Sequence, residues 1–214
     1  RANGLDKVIY RPDKRRLGIV AAGKVYLDVR QALDRLGIDE PLARELGIGL
    51  YKVALTWPLE PQGIMDFAAG FEELLFVEEK RPLMEDQAAR FLYDMDVSRR
   101  PRIYGKREEG GNVLLPSDGV LDVSMVARVI AGRLERLGLM NDCLRSRDSD
   151  VEAGRQASAS SPLTIERKPY FCSGCPHNTS TKVPDGSQAL AGIGCSYMAV
   201  WMDRHTVTSV QMGG

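Results

Sequence analysis

Short apolar runs alternate with amphipathic segments over residues 1 to 106. The run 17–20 (LGIV) ends at Ala22-Gly23, as a buried strand does, and the apolar stretches 50–56, 74–79 and 102–104 indicate further strands. The segments between them carry apolar residues at helical spacing, and two of them open at Pro61 and Pro82, a residue favoured at the start of a helix. These apolar stripes comprise Val25, Val29, Ala32, Leu33 and Leu36, then Ile64, Phe67, Ala68 and Phe71, then Met84, Ala88, Phe91 and Leu92.

Strands that alternate with helices predict a parallel sheet covered on both faces, which is a three-layer α/β domain. A further helix is expected within 119–139, so the first domain is placed at residues 1–139. The next stretch, NDCLRSRDSDVEAGRQASASS, is polar, small and aperiodic, and residues 140–165 are therefore predicted to be a linker. Residues 166–214, rich in Gly, Cys and His, form a second region.

Composition narrows the possible partners. The 29 basic residues balance the 29 acidic ones, so no electrostatic surface for nucleic acid or an anionic membrane is expected. The apolar runs are far shorter than the roughly 20 residues that span a bilayer. The first residues lack the apolar segment of a secretory signal, which favours a cytoplasmic protein with reduced thiols. Both ends read as cut points, so we expect a fragment of a longer protein.

Three of the four cysteines cluster in the second region. Cys172 and Cys175 stand in FCSGCPH, and Cys195 follows in GIGC. Two thiols on one tight turn and a third on a Gly-flanked turn supply most of a four-ligand metal site. The spacing leaves three interpretations open: an iron–sulfur cluster with a fourth Cys elsewhere, a structural zinc that uses His177 or His205 as well, or reduced thiols without a metal.

The motif strings resemble a known family. YFCSGCPHNTS, ALAGIGCS and DRHTVTSVQMGG occur in the order found at the start of the thiamine-diphosphate domain of indolepyruvate:ferredoxin oxidoreductases, and the long fused bacterial form is the nearer match. GKVYLDVRQAL, YKVALTWPLEP, LLFVEEKRPLMEDQ and RIYGKRE resemble the transketolase-C-terminal-like domain that precedes it. The resemblance covers nearly the whole chain apart from the predicted linker.

The resemblance implies cofactors and roles for particular positions. It implies thiamine diphosphate contacts from Gly192, Gly194, Cys195, Gly213 and Gly214, because backbone amides on a Gly turn suit phosphate oxygens. It also implies a 4Fe-4S cluster at Cys172 and Cys175, with Cys195 as a third ligand or a cofactor contact. No residue of this chain is expected to be catalytic.

The same resemblance implies the reaction and the partners of the parent enzyme. The parent would decarboxylate an aryl pyruvate oxidatively, with coenzyme A as acyl acceptor and ferredoxin or a similar protein as electron acceptor. It would be a homo-oligomer in which this chain contacts the remaining domains. The Mg²⁺ motif, G-D-G, is expected after Gly214, and the Glu that activates the cofactor in a separate N-terminal domain. The fragment alone is therefore expected to be inactive. The alternative is a non-enzymatic α/β interaction module with a structural zinc.

Two charged groups lie where strands end in the first domain. Glu78, Glu79 and Lys80 close an apolar run, and either bind a ligand or cap the helix that follows; capping is the expected role, with Glu79 or Arg81 near the helix start. Gly23-Lys24 lacks the spacing of a phosphate-binding P-loop and is read as an ordinary turn between a strand and a helix.

Overall fold

The computed structural model describes residues 3–160 and 168–209. These residues belong to two compact units, Arg1–Ser160 and Ser161–Gly214, and each unit is described by itself below. Within the described residues, no helix is long and apolar enough to cross a membrane.

The first unit is built on a five-stranded sheet. Its strands are β1 (Lys7–Tyr10), β2 (Leu17–Ala22), β3 (Ile48–Val53), β4 (Glu73–Val77) and β5 (Arg102–Tyr104), in the spatial order β1-β3-β2-β4-β5. β2 to β5 are parallel to one another, and β1 runs antiparallel to β3 at one edge. The mostly parallel sheet confirms the predicted α/β class.

Among residues 3–160, six α-helices accompany the sheet: α1 (Gly23–Arg35), α2 (Glu40–Leu46), α3 (Pro61–Ala68), α4 (Leu83–Leu92), α5 (Val123–Arg136) and α6 (Asp142–Ser160). On one face, Ile19, Leu50 and Leu75 pack in the same cluster as the apolar residues of α1 and α5. On the other face, Val20 and Phe76 pack with α3 and α4. Alternate strand residues therefore bury themselves in opposite cores, which gives the expected three layers.

β1 and α2 were not predicted from the apolar pattern. β1 has only four residues, of which Tyr10 alone is buried, so its alternation is too short to stand out. α2 has seven residues and one buried side chain, but its start carries local signals: the Asp39 carboxylate accepts a hydrogen bond from the Leu42 amide at 3.0 Å, and Pro41 lies in the first turn.

The segment predicted as a linker at 140–165 is helical over most of its length. Asn141 caps α6 by accepting a hydrogen bond from the Leu144 amide at 2.9 Å, and Arg145 forms an ion pair with Glu135 at 2.6 Å. Leu144 is buried and Val151, seven residues on, packs against the same core. Two apolar contacts a heptad apart are too sparse for a periodic signal, which is why this helix looked like a loop in the sequence.

Two glycines face each other across β2 and β3. Gly18 and Gly49 are register partners, and a Cβ on Gly18 would lie 2.6 Å from a methyl carbon of Leu74, while a Cβ on Gly49 would lie directly against the ring of Phe71. Phe67 and Phe71 contact each other with ring centres 5.0 Å apart and their planes tilted by 41°. The missing side chains therefore make the space that the two aromatic rings fill.

A buried arginine links α5 to the sheet. Arg133, 1% exposed, donates to the Glu73 carboxylate on β4 at 2.7 Å and to both oxygens of Glu109, at 3.0 and 3.1 Å. Its guanidinium carbon lies 3.8 Å from the centre of the Tyr104 ring, and the Tyr104 hydroxyl donates to Glu109. The hydrogen bonds from Arg133 hold the pKa of the Glu109 carboxyl well below its ordinary value. The buried cation is thus paired with groups from three other segments of the chain, at Glu73, Tyr104 and Glu109.

The second unit is small. Its elements are the one-turn helix α7 (His177–Ser180), β6 (Ala189–Ala191), a 3-10 helix over Gly194–Trp201 and β7 (Thr206–Ser209). β6 and β7 pair in parallel as a two-stranded sheet. Among its described apolar residues, Phe171, Ala191 and Ala199 are buried.

Candidate cofactor and metal site

The Cys172–Cys175 segment folds as one tight turn. The Cys175 amide donates to the Cys172 carbonyl oxygen at 3.0 Å, and the Asn178 side chain donates to the same oxygen at 2.9 Å. Gly174 takes a positive φ of 75°, a conformation that a side chain would strain. Cys172 is exposed and Cys175 half-buried. The turn therefore presents two thiols from one short piece of backbone, as the motif predicts.

His177 is held beside this turn. Its Nδ1 lies 3.2 Å from the Cys175 sulfur, and its ring stacks on the buried Phe171 with centres 5.3 Å apart. Arg204 lies over the Phe171 ring and donates to the Asn178 carbonyl oxygen at 3.1 Å. These contacts fix the imidazole next to one thiol.

The second predicted turn follows β6 directly. Gly194 has a φ of +72° and opens the 3-10 helix, and nothing lies within 4 Å of the position that a Cβ would take there. The Ser196 hydroxyl donates to the Ile193 carbonyl oxygen at 3.1 Å and closes the turn. The first amides of a helix have no partner within the helix. This backbone fits close contact with a diphosphate, which needs amide donors and no side-chain bulk.

The predicted metal ligands are only partly brought together. Cys172 and Cys175 share a turn, but within residues 3–160 and 168–209 no group of three or more His, Cys, Asp and Glu side chains is close enough to hold a metal ion. Cys195 and the two histidines therefore do not complete a set with them in this structure. The turn fits two ligands of a larger site and does not by itself fit a four-thiolate cluster or a zinc ion. Gly213 and Gly214, the last predicted cofactor contacts, lie outside the described residues.

The charged residues after β4 act as a helix cap. Both oxygens of Glu78 accept hydrogen bonds from the start of α4, one from the Met84 amide at 2.8 Å and one from the Glu85 amide at 3.0 Å. Burial raises the pKa of the Glu78 carboxyl, and these hydrogen bonds oppose that rise. The expected capping role is confirmed, with Glu78 as the cap in place of the Glu79 or Arg81 named from the sequence.

Lys24, in the turn before α1, is paired with Asp28 at 2.9 Å and with Glu79 at 3.7 Å. It therefore serves an ordinary turn, as expected.

Sequence reasoning missed a buried lysine beside this cap. Lys106 follows β5, and its ammonium donates to the carbonyl oxygens of Glu78 and, at 3.0 Å, of Pro116. Burial lowers the pKa of Lys106. The one sequence signal for it is its place directly after the short strand 102–104, where the ends of neighbouring strands meet.

Comparison with known proteins assigns the chain to a family of oxidoreductase domains. The first, α/β unit matches, over residues 7–158, the model of a family described as indolepyruvate oxidoreductase domain. The chain belongs to this family, which confirms the resemblance inferred from the motifs.

Curated relatives are similar over nearly the whole chain. Indolepyruvate oxidoreductase subunit IorA of Thermococcus kodakarensis is 28% identical over 205 residues, which cover 92% of this chain and 28% of the relative. The IorA subunits of Pyrococcus abyssi and Methanothermobacter marburgensis are also 28% identical, over 95% and 81% of this chain and 29% and 23% of their own lengths. The chain thus spans less than a third of these relatives.

Two solved structures are similar at lower levels. A 2-oxoglutarate:ferredoxin oxidoreductase from Magnetococcus marinus, solved with 2-oxoglutarate, coenzyme A and succinyl-CoA, is 21% identical with a TM-score of 0.39, over 60% of this chain and 19% of that one. A split-gene transketolase, described as an inactive beta4 tetramer, is 15% identical with a TM-score of 0.38, over 69% of this chain and 40% of that one.

Proposed function

We propose that this chain is part of a thiamine-diphosphate-dependent enzyme that oxidatively decarboxylates aryl pyruvates such as indolepyruvate. The acyl group goes to coenzyme A and the electrons to a ferredoxin-type acceptor. The observation that carries the proposal is the family match over residues 7–158. The thiol turn and the glycine turn that follow in the second unit support it, because the parent reaction needs both a redox centre and a bound diphosphate cofactor.

In this proposal the second unit contributes backbone to the cofactor site. The amides of Gly192 to Cys195 would donate to the diphosphate of thiamine diphosphate, and Gly213 and Gly214 would be further cofactor contacts. When bound, the cofactor supplies the carbanion chemistry that the protein side chains lack. Mg²⁺ and the Glu that activates the cofactor are supplied by other parts of the parent enzyme.

Cys172 and Cys175 are proposed as two ligands of an iron–sulfur cluster in the complete enzyme, with Cys195 as a third ligand or a cofactor contact. The shared turn of the first pair supports this assignment. The alternative, a zinc-binding interaction module, would use the same thiols with His177 or His205, so the metal content of the complete protein distinguishes the two.

The first unit is proposed to be a scaffold and interface that contacts the other domains of a cytoplasmic homo-oligomer. The isolated chain is expected to be inactive, because a few amide hydrogen bonds at about 1 kcal/mol each do not offset the cost of immobilising the cofactor.

The activity is tested on the complete enzyme that contains this chain. With thiamine diphosphate, Mg²⁺ and coenzyme A under anaerobic conditions, indolepyruvate should reduce methyl viologen, and the 214-residue chain alone should not. Gly194→Ala should raise the Kd for thiamine diphosphate roughly tenfold, since the added methyl keeps the diphosphate from the amides.

Gly186→Ala is the matched control for that variant, because Gly186 also has a positive φ, 76°, and open space around it. Equal losses in the two variants, or no viologen reduction with any aryl pyruvate, would contradict the proposal.

The cluster assignment has its own test. Cys172→Ser and Cys175→Ser should each lower the iron and acid-labile sulfide content of the complete enzyme, because each removes one thiolate ligand. Cys143→Ser, which changes an exposed thiol of the first unit, should leave both contents unchanged. Unaltered iron and sulfide in both Cys172 and Cys175 variants would sink the assignment. Stoichiometric zinc in place of iron, with no effect of thiamine diphosphate, would favour the interaction module.

A further inference from the structure

The sheet of the first unit has a topological switch point. From β2 the chain continues to β3 on one side and then crosses back to β4 on the other, so β2 is paired in parallel with both. Connections that leave two adjacent parallel strands in opposite directions open a crevice outside their carboxyl ends, and ligands bind there in open α/β sheets. Here that crevice lies between Ala22, which ends β2, and Val77, which ends β4.

The crevice holds a cavity of about 460 Å³ with mainly apolar walls. Val25 from the first turn of α1 forms one wall, and Leu83 and Met84 from the first turn of α4 form the other. Leu83 is 42% exposed although it is a large apolar side chain. A cavity of this size and lining is typical of sites for small ligands with an apolar body.

The anionic groups at this crevice are already engaged. Both oxygens of Glu78 accept amides of α4. Glu79 accepts a hydrogen bond from the Leu121 amide at 3.3 Å and pairs with Lys24.

One of the two cations that follow Glu79 is engaged as well. Lys80 has a left-handed backbone with a φ of 59°, and its ammonium donates to the Gly119 carbonyl oxygen at 2.8 Å. Arg81, next in the chain, lines the cavity, and its guanidinium makes no hydrogen bond or ion pair within the described part of the chain. The crevice therefore offers one unpaired cation beside an apolar pocket.

We propose that this crevice is a binding site for a small monocarboxylate with an apolar body, whose carboxylate pairs with Arg81. A guanidinium binds a carboxylate through two parallel hydrogen bonds, which orients the ligand as well as holding it. The apolar body lies between Val25 and the Leu83-Met84 turn. The site belongs to the first unit and uses none of the residues assigned to the thiamine diphosphate, so it stands or falls independently of the proposed activity.

The test is an NMR titration of the ¹⁵N-labelled 214-residue chain with phenylacetate and, separately, indole-3-acetate. Saturable shift changes are expected at the amides of residues 22–25, 77–81 and 83–84 at millimolar ligand or below. Arg81→Gln should weaken binding roughly tenfold, the effect of one charge-assisted pair. Arg90→Gln, at an exposed position of α4, should leave binding unchanged.

The neutral analogue phenylacetamide distinguishes a carboxylate-binding site from a purely apolar pocket. This comparison uses the unmutated chain, so it does not depend on whether a variant folds. It should bind at least roughly tenfold more weakly than phenylacetate. Equal binding of the amide and the acid, unchanged affinity in Arg81→Gln, shifts confined to other residues, or no shifts with either acid would each overturn the proposal.

Discussion

The two units of the chain differ in what holds them together. The first buries two apolar clusters on opposite faces of a five-stranded sheet and secures one helix with a buried ion pair. The second pairs two short strands and leaves large side chains such as Trp201 and Tyr170 exposed by 63% and 78%. The free energy gained from hydrophobic burial scales with the apolar area that is buried. The first unit therefore gains more stability from its core than the second, and we expect it to fold cooperatively. Chemistry-bearing motifs concentrate in the unit with the smaller core.

Hydrogen exchange should show this difference most strongly. Amides in β6 and β7 should exchange roughly a thousandfold faster than those in β2 and β4, because local opening ranges from near zero free energy to that of global unfolding. Exchange followed by mass spectrometry measures it on the 214-residue chain. Comparable protection of amides in the two sheets would contradict the expected difference in stability between the two units.

Removal of the buried Arg133 cation should have the second-largest effect, a loss of stability of the first unit. Arg133→Met leaves the Glu73 carboxylate buried without its partner, which costs about 3–5 kcal/mol of unfolding free energy. Urea unfolding followed by far-UV circular dichroism gives the value. Arg128→Met, which changes an exposed pair with Glu152 at 3.6 Å, should cost less than about 1 kcal/mol. Similar losses of unfolding free energy in the two variants would show that the buried Arg133 pair contributes no more than an exposed pair.

A pair of glycine substitutions should give smaller changes of opposite sign. Gly49→Ala forces a methyl group against the Phe71 ring and should destabilise the first unit by about 1–3 kcal/mol. Gly132→Ala, at an exposed position within α5 with open space around it, should stabilise the unit by about 0.5–1 kcal/mol. The same urea measurement checks both. A neutral Gly49→Ala would mean that the core is looser than the contacts indicate.

Sequence patterns predicted the parts of the fold whose signals are local. The parallel strands β2 to β5 and the helices α1, α3, α4 and α5 follow from apolar runs and helical stripes. Features that depend on distant partners were not predicted: the burial of Arg133 depends on Glu73, sixty positions away in the chain, together with Glu109 and Tyr104. α6 escaped because it needs few apolar contacts when ion pairs and a cap also hold it.

The candidate site divides in the same way. The Cys172–Cys175 turn and the Gly194 turn could be read from motifs, because a short spacing and a glycine determine a local backbone path. The crevice beside Arg81 could not be predicted from motifs, because it depends on the order of the strands in the sheet. The helix cap is Glu78, one position before the expected Glu79. The difference depends on the residue at which β4 ends, which composition does not determine.

The facing glycines of β2 and β3 constrain which side chains can replace one another in this part of the core. Gly18 and Gly49 carry no side chain where Phe67 and Phe71 pack against the sheet, so the four positions share one volume. A side chain at either glycine therefore requires a smaller residue at one of the aromatic positions. Among relatives, these positions should therefore covary in size, with large residues on the sheet accompanied by aliphatic residues in place of the rings.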